Sequence, residues 1–338
     1  MLKDFIRMSH YAGRRFDLSQ ANGGNSSVKI EDYLYIKSSG YYLSDINETT
    51  GIAKVRCKLL QQLLQHPDHI NARQIKSAVQ DNLISGARPS IEIGMHALLG
   101  TFVLHTHPLA VNALSCHQEW QLLLKQLFPE ALCISYATPG FDLGLKVATK
   151  LQETTADPHT TLILFLQNHG LIVSSPSADT VISETERVTE KIENFLKLDF
   201  EKYKTAATIC AFVSKIALQY NFCYCSNDQD LQDILMTNRD LFFANYCLPI
   251  AYMYNTLAIE LLNLEDETPI RAYCERYQRT PQVIIYHNRI YLLTTNVHQA
   301  PELESVVKEH LLIHKITKDH ARCLTPHEIK LLEEDMSS

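Results

Sequence analysis

The stretch Thr161–Ser175, TLILFLQNHGLIVSS, constrains the fold of this chain more than any other. Its apolar run predicts a buried strand. The turn Asn168-His169-Gly170 predicts a tight reversal, because Gly170 accepts backbone angles closed to other residues. The residues after the turn return as a second strand. A buried strand pair must be covered by helices or another sheet, so the neighbouring sequence decides the fold class.

That sequence alternates short strands with helices. Residues 2–11 carry Leu2, Phe5, Ile6 and Tyr11 on one face of a helix. ANGGNSSVKI is a turn entering a strand, and EDYLYIKSSG is a strand entering a Ser-Gly turn. Helices are predicted over Lys58–Leu64 and Arg73–Leu83, and from Ser90 onward through IEIGMHALL. TFVLHTH and ALCISY predict two more strands, and PGFDLGLKVATKLQ a helix. The long segment from Ser177 to Leu198 is amphipathic, with Val181, Val188, Ile192, Phe195 and Leu196 on one side. The pattern predicts an α/β layered domain over residues 1–200, with a central mixed sheet flanked by helices. A smaller α+β domain follows over residues 201–338. In it PQVIIYHNRIYLLTT is a hairpin turning at Asn288, and Thr325 with Glu328 forms a capping box for the last helix.

Composition excludes several classes. The net charge of -7 and the lack of a basic stripe argue against a nucleic-acid partner. The nine cysteines form no C-x-x-C pair, and only Cys223 and Cys225 stand close together, so reduced thiols in a cytoplasmic protein are expected. The first residues have neither an apolar core nor a cleavage site, so no signal peptide is expected. Leu241–Ile259 carries no charge, but Asn245, Pro249, Asn255 and Thr256 argue against a membrane span and for buried soluble elements.

The chemistry centres on histidine. In a strand, residues two apart share a face, so His105 and His107 of VLHTHP project together, and Pro108 stops the strand behind them. Two imidazoles at a strand end can begin a metal site, and a third ligand would complete an open one. His169 also stands at the end of a buried strand. Glu92 falls in the first turn of an otherwise apolar helix with Ser90 as its N-cap, a position that also suits a glutamate stabilising the helix dipole. His96 lies one turn further along the same face. The turns GGNSSVK and SSG offer backbone NH groups and hydroxyls suited to an anion.

In order, GGNSSVK, IKSSG, PSIE, HTHP and QNHG resemble the class II aldolase/adducin family over roughly residues 5–200. In style they are closest to the aldolase part of rhamnulose-phosphate aldolase/dehydrogenase fusions. The resemblance implies that His105, His107 and His169 bind Zn2+ or another divalent metal, and that Glu92 is the catalytic carboxylate. It implies that Asn25, Ser39, Gly40 and Ser90 hold the substrate phosphate. It implies a zinc-dependent aldolase that cleaves or forms a carbon–carbon bond in a sugar phosphate or related hydroxyketone through an enediolate, and assembly as a homotetramer. Epimerisation or decarboxylation on the same fold, and an adducin-like interaction protein, are the alternatives. Ile91 stands where the short aldolases have a second phosphate-binding serine, and Lys37-Ser38 replaces their Thr-Pro. Residues 201–338 match no motif. Their large aromatic residues (Phe242, Phe243, Tyr246, Tyr252, Tyr254, Tyr286 and Tyr291) predict packing on the first domain or on a neighbouring subunit.

Overall fold

The computed structural model describes residues 1–64, 70–154, 156–217 and 220–336. The chain divides into two compact units, Met1–Phe200 and Glu201–Ser338.

The first unit runs α1 (Leu2–Gly13), β1 (Asn25–Ile30), β2 (Tyr33–Lys37), β3 (Ile52–Arg56), α2 (Lys58–Leu64), α3 (Ala72–Asp81), β4 (Leu83–Ser85), α4 (Ile93–Leu98) and β5 (Phe102–Thr106). It continues with α5 (Leu109–Ser115), α6 (Trp120–Leu127), β6 (Leu132–Ile134), α7 (Phe141–Thr154), β7 (Leu162–Leu166), β8 (Gly170–Ser175) and α8 (Ala178–Leu196). The strands form one eight-stranded sheet in the order β4-β3-β2-β1-β5-β8-β7-β6. Every pairing is antiparallel except β6 with β7.

Side chains alternate across this sheet. Val28, Phe102, Leu104, Phe165 and Val173 pack with α1, α5, α6 and α8 in one cluster. Val103, Leu164, Leu166 and Ile172 pack with Met95, Leu143 and Val147 from α4 and α7 in another. The predicted strand pair from Thr161 to Ser175 is β7 and β8, but the left-handed residue of its turn is Asn168, at φ 55°, and not Gly170, whose lack of a side chain serves close packing against the Thr106 carbonyl instead. On α8, Val181, Val188 and Ile192 are buried, whereas Phe195, in the last turn, is about half exposed.

Two local expectations are corrected. The Ala72–Asp81 helix stops short of Leu83, which starts the short edge strand β4. The predicted helix at Ser90 starts instead at Ile93, with Glu92 as its N-cap residue. The reason is pairing upstream. Ser38 bridges Pro89, Ser39 N–H donates to the Arg88 carbonyl, and Ser90 N–H donates to that of Lys37. The chain is held as a sheet-edge segment up to Ser90 and can turn helical only after it.

The second unit runs α9 (Glu201–Ile216), β9 (Phe222–Cys225), α10 (Gln229–Thr237), α11 (Pro249–Met253), β10 (Ala258–Leu261), α12 (Thr268–Tyr277), β11 (Val283–Tyr286), β12 (Arg289–Thr294), α13 (Gln299–Thr317) and α14 (Pro326–Met336). Its four-stranded sheet has the order β10-β11-β12-β9, with only the β10–β11 pair parallel. The β11–β12 hairpin turns at His287 and Asn288, both at positive φ (47° and 57°), as a two-residue hairpin turn demands. The capping box forms in both directions. Thr325 N–H donates to Glu328 Oε2 at 2.8 Å, and Glu328 N–H donates to Thr325 Oγ1 at 3.3 Å. Phe242, Tyr246, Tyr252 and Tyr291 are buried within this unit's own clusters, and Phe243 is exposed. No helix among the described residues is long and apolar enough to cross a membrane.

Candidate metal centre

The sheet brings the three histidines together from its middle. His105 is the fourth residue of β5, fully buried between β1 and β8. His107 lies just past the end of β5, where its N–H donates to the Leu18 carbonyl at 2.9 Å. His169 sits in the β7–β8 turn. Their Nε2 atoms converge, His107 on His105 at 3.1 Å and His105 on His169 at 3.2 Å. Two glycines permit this approach. Gly24 has φ +70°, and a Cβ there would come within 2.8 Å of the His105 carbonyl oxygen. A Cβ on Gly170 would collide with the Thr106 carbonyl.

The tautomer of His105 follows from its partner. Its Nδ1–H donates to the Leu171 carbonyl at 3.0 Å, which leaves the lone pair on Nε2 pointing at the other two rings. Burial, with the neighbouring imidazoles adding to it, pushes His105 and His107 down to about 3. Both are neutral at physiological pH, as metal ligands must be.

Glu92 faces the same point. Its Oε2 lies 3.5 Å from His105 Nε2, and its Oε1 lies 3.3 Å from His169 Nε2. Only Oε2 is hydrogen-bonded, by Asn25 Nδ2–H at 2.6 Å. Oε1 is buried and receives no hydrogen bond among the described residues. Three imidazole nitrogens and an orphaned carboxylate oxygen gathered at one spot are the donor set of a cation site. A tetrahedral ion with bonds of ~2.05 Å holds its nitrogen ligands ~3.3 Å apart, close to the separations seen here. The group His105, His107, His169 therefore fits a divalent metal.

A directed relay stands behind Glu92. Ser27 O–H donates to His96 Nδ1 at 2.7 Å, His96 Nε2–H donates to Asn25 Oδ1, and Asn25 donates to Glu92. Each link points its hydrogen toward the carboxylate, so the chain of donors holds Oε2 in place. His96 thus reaches Glu92 through Asn25 rather than directly. Burial and the nearby His105 push His96 down to about 3, so it serves here as a neutral link.

The turn residues form a separate patch. The Ser38–Pro89 bridge sets Ser39 opposite Arg88 and Ser90 opposite Lys37, with Gly40 at the turn beyond Ser39. Gly40 has φ +89°, and Ser90 Oγ accepts from Glu92 N–H at 3.3 Å. The Asn25 side chain is not part of this patch; both its ends are taken by Glu92 and His96. Lys37 is buried, and its Nζ donates to the Asn22 carbonyl at 3.2 Å. Burial pushes Lys37 down to about 8, and the Glu92 carboxylate opposes that shift. A cavity of about 580 Å³ shares Ser90 with this patch but is otherwise mostly apolar, and none of the three histidines lines it.

The pattern of the Class II Aldolase and Adducin N-terminal domain matches residues 3–196. No curated protein matches the chain. Among solved structures, the N-terminal class II aldolase domain of a conserved protein from Thermoplasma acidophilum is 22% identical, over 57% of this chain and 92% of that one, with a TM-score of 0.49. YgbL, a putative aldolase/epimerase/decarboxylase from Escherichia coli, is 20% identical over 58% of this chain and 88% of that one, with a TM-score of 0.42. L-fuculose-1-phosphate aldolase from Thermus thermophilus is 18% identical over 58% of this chain and 96% of that one, with a TM-score of 0.40.

Proposed function

The chain belongs to the class II aldolase and adducin family, and from that premise we propose that it is a metal-dependent aldolase acting on a sugar phosphate or related hydroxyketone. The observation that carries this reading is the convergence of three imidazole Nε2 atoms and an orphaned carboxylate oxygen on one point. An adducin-like interaction protein has no use for such an arrangement.

In this reading His105, His107 and His169 hold a divalent ion, zinc by preference for a nitrogen-only site that leaves positions open. When bound, the ion supplies Lewis acidity for the negative charge that develops when a bond beside a hydroxyketone breaks. Glu92 moves the proton. Its unpartnered Oε1 is the basic atom, and the Ser27–His96–Asn25 relay holds Oε2 so that Oε1 keeps a fixed aim. Ser39, Gly40 and Ser90 take the phosphate or other polar end with hydroxyls and backbone N–H groups, and the Lys37 ammonium adds positive charge. Asn25, an anion ligand by resemblance, acts here by holding Glu92. The unit 1–200 is the catalytic domain, the working assembly is a homotetramer, and the location is cytoplasmic, in keeping with nine free thiols.

The test is a screen of ketose phosphates with zinc-reconstituted protein, scored for release of dihydroxyacetone phosphate or an aldehyde. Conversion to a stereoisomer without cleavage would make the enzyme an epimerase, and release of CO2 a decarboxylase. Metal-loaded protein that turns over none of the candidates would return the chain to the interaction class. Light scattering on the full chain, and on a chain truncated after Phe200, tests the tetramer and the need for residues 201–338.

A further inference from the structure

The second unit holds another cluster of metal-binding side chains: Cys247, His314 and Cys323. Cys247 lies in the segment before α11, His314 in the last turn of α13, and Cys323 in the segment leading to α14. Cys247 Sγ is 3.3 Å from His314 Nε2 and 3.6 Å from Cys323 Sγ, and the three donor atoms all lie within 4.8 Å of one another. The Asn245 carbonyl oxygen closes the figure, 2.9 Å from His314 Nε2 and 3.6 Å from Cys323 Sγ.

These separations describe a small polyhedron of two sulfurs, a nitrogen and an oxygen. Tetrahedral zinc, with bonds of ~2.3 Å to sulfur and ~2.05 Å to nitrogen, sets sulfurs ~3.8 Å apart and sulfur ~3.6 Å from nitrogen or oxygen. The three edges that involve sulfur lie within about 0.3 Å of those spacings, while His314 Nε2 and the Asn245 oxygen, at 2.9 Å, stand at hydrogen-bond distance and would part to ~3.3 Å around an ion. The two sulfurs are too far apart for a disulfide bond of ~2.05 Å and close enough to share an ion. The surroundings fix the ligands in place. His314 is buried, and His310 packs edge-on against its ring at 4.7 Å between centroids. Leu324 N–H donates to the Tyr246 carbonyl at 2.8 Å, which ties the neighbour of Cys323 to the neighbour of Cys247. Both cysteines are half-buried, so an ion can reach them from solvent.

We propose that Cys247, His314 and Cys323 form a second metal site, a zinc clasp that fastens the start of α14 to α13 and to the segment before α11, with the Asn245 carbonyl at the fourth corner. Two sulfurs select zinc or another thiophilic ion over magnesium or calcium. Binding releases the two thiol protons, and the two thiolates balance the charge of the ion. The site shares no residue with the histidine centre and would be filled independently of it.

The experiment uses the full chain, purified under reducing conditions and loaded with zinc or cobalt. Elemental analysis should give two equivalents per chain, and the His105→Ala/His107→Ala variant should keep one of them. Cobalt-loaded protein should show the intense near-ultraviolet charge-transfer absorption of thiolate–cobalt bonds, which an all-imidazole site cannot produce. Cys247→Ser/Cys323→Ser should lose that band and one equivalent. The wild-type cobalt spectrum decides the matter even if the serine variant fails to fold. Zinc should also protect two thiols of the wild type from alkylation. A cobalt-saturated wild type without the thiolate band, or a Cys247–Cys323 disulfide in metal-free protein from a reducing preparation, would overturn the proposal.

Discussion

Replacing Glu92 with Gln should move stability and activity in opposite directions. Glu92 is 5% exposed, and its Oε1 has no hydrogen bond among the described residues. A buried polar atom left unsatisfied costs about 1–3 kcal/mol. An amide in the same place keeps its oxygen on Asn25 Nδ2, where Oε2 now accepts at 2.6 Å. Its NH2 then faces His169 Nε2, 3.3 Å from the present Oε1, and can donate to it. Both ends become satisfied and a buried charge disappears. Chelator-stripped Glu92→Gln should therefore be more stable than stripped wild type by about 1–3 kcal/mol, or roughly 2–12 °C in melting temperature for a unit of this size. Metal content should stay at the wild-type level, because three imidazoles remain. Turnover should fall by ~100-fold or more, since an amide cannot carry the proton. The assays are thermal melting followed by circular dichroism, elemental analysis, and solvent-deuterium exchange at the carbon beside the carbonyl of dihydroxyacetone phosphate. A variant that melts below wild type after stripping would refute the account of Oε1. One that loses its metal would make Glu92 a ligand rather than an acid/base group.

His105→Ala should abolish metal retention by the histidine centre, whereas His169→Ala, removing a ligand from the turn, should weaken it and leave the fold intact; equilibrium dialysis against zinc compares them. Lys37→Met probes the buried ammonium, which titrates near 8 in the fold against 10.5 in the unfolded chain. Between those values the unfolded chain binds more protons, so wild type should gain stability relative to the variant as pH rises from 8 to 10.5, and wild-type affinity for inorganic phosphate should drop through pH 8. Denaturant titrations and calorimetry would show an unchanged difference if the shift is absent. Gly170→Ala places a methyl against the Thr106 carbonyl, and should cost about 1–3 kcal/mol while lowering zinc affinity; a melt equal to wild type would mean that the turn yields freely.

Much of this arrangement was legible in the sequence because it rests on local periodicity. The strands holding the triad announced themselves by apolar runs ending in histidine, and the hairpin at Asn288 and the box at Thr325 by their turn chemistry. The details that failed are set by partners distant in sequence. The Ser90 helix starts late because residues 37–39 pair with residues 88–90. His96 joins Glu92 through Asn25, a link that spans 71 positions and that helical spacing alone cannot reveal. The aromatic residues expected to need a partner surface found one inside their own unit, for the most part, on a sheet that no motif announced. Cys247 stands 67 positions from His314 and 76 from Cys323, so no ligand spacing marks the set.

The two halves of the histidine site are anchored with very different firmness. The histidine cluster hangs from β1, β5 and β8, each paired over four or more residues on both sides at the centre of the sheet. The Ser39–Gly40 turn is tied to residues 88–90 by the isolated Ser38–Pro89 bridge and the two backbone hydrogen bonds that flank it. Substitutions around residues 37–40 and 88–91 can therefore alter that turn while the three imidazoles, carried by the middle of the sheet, keep their mutual spacing.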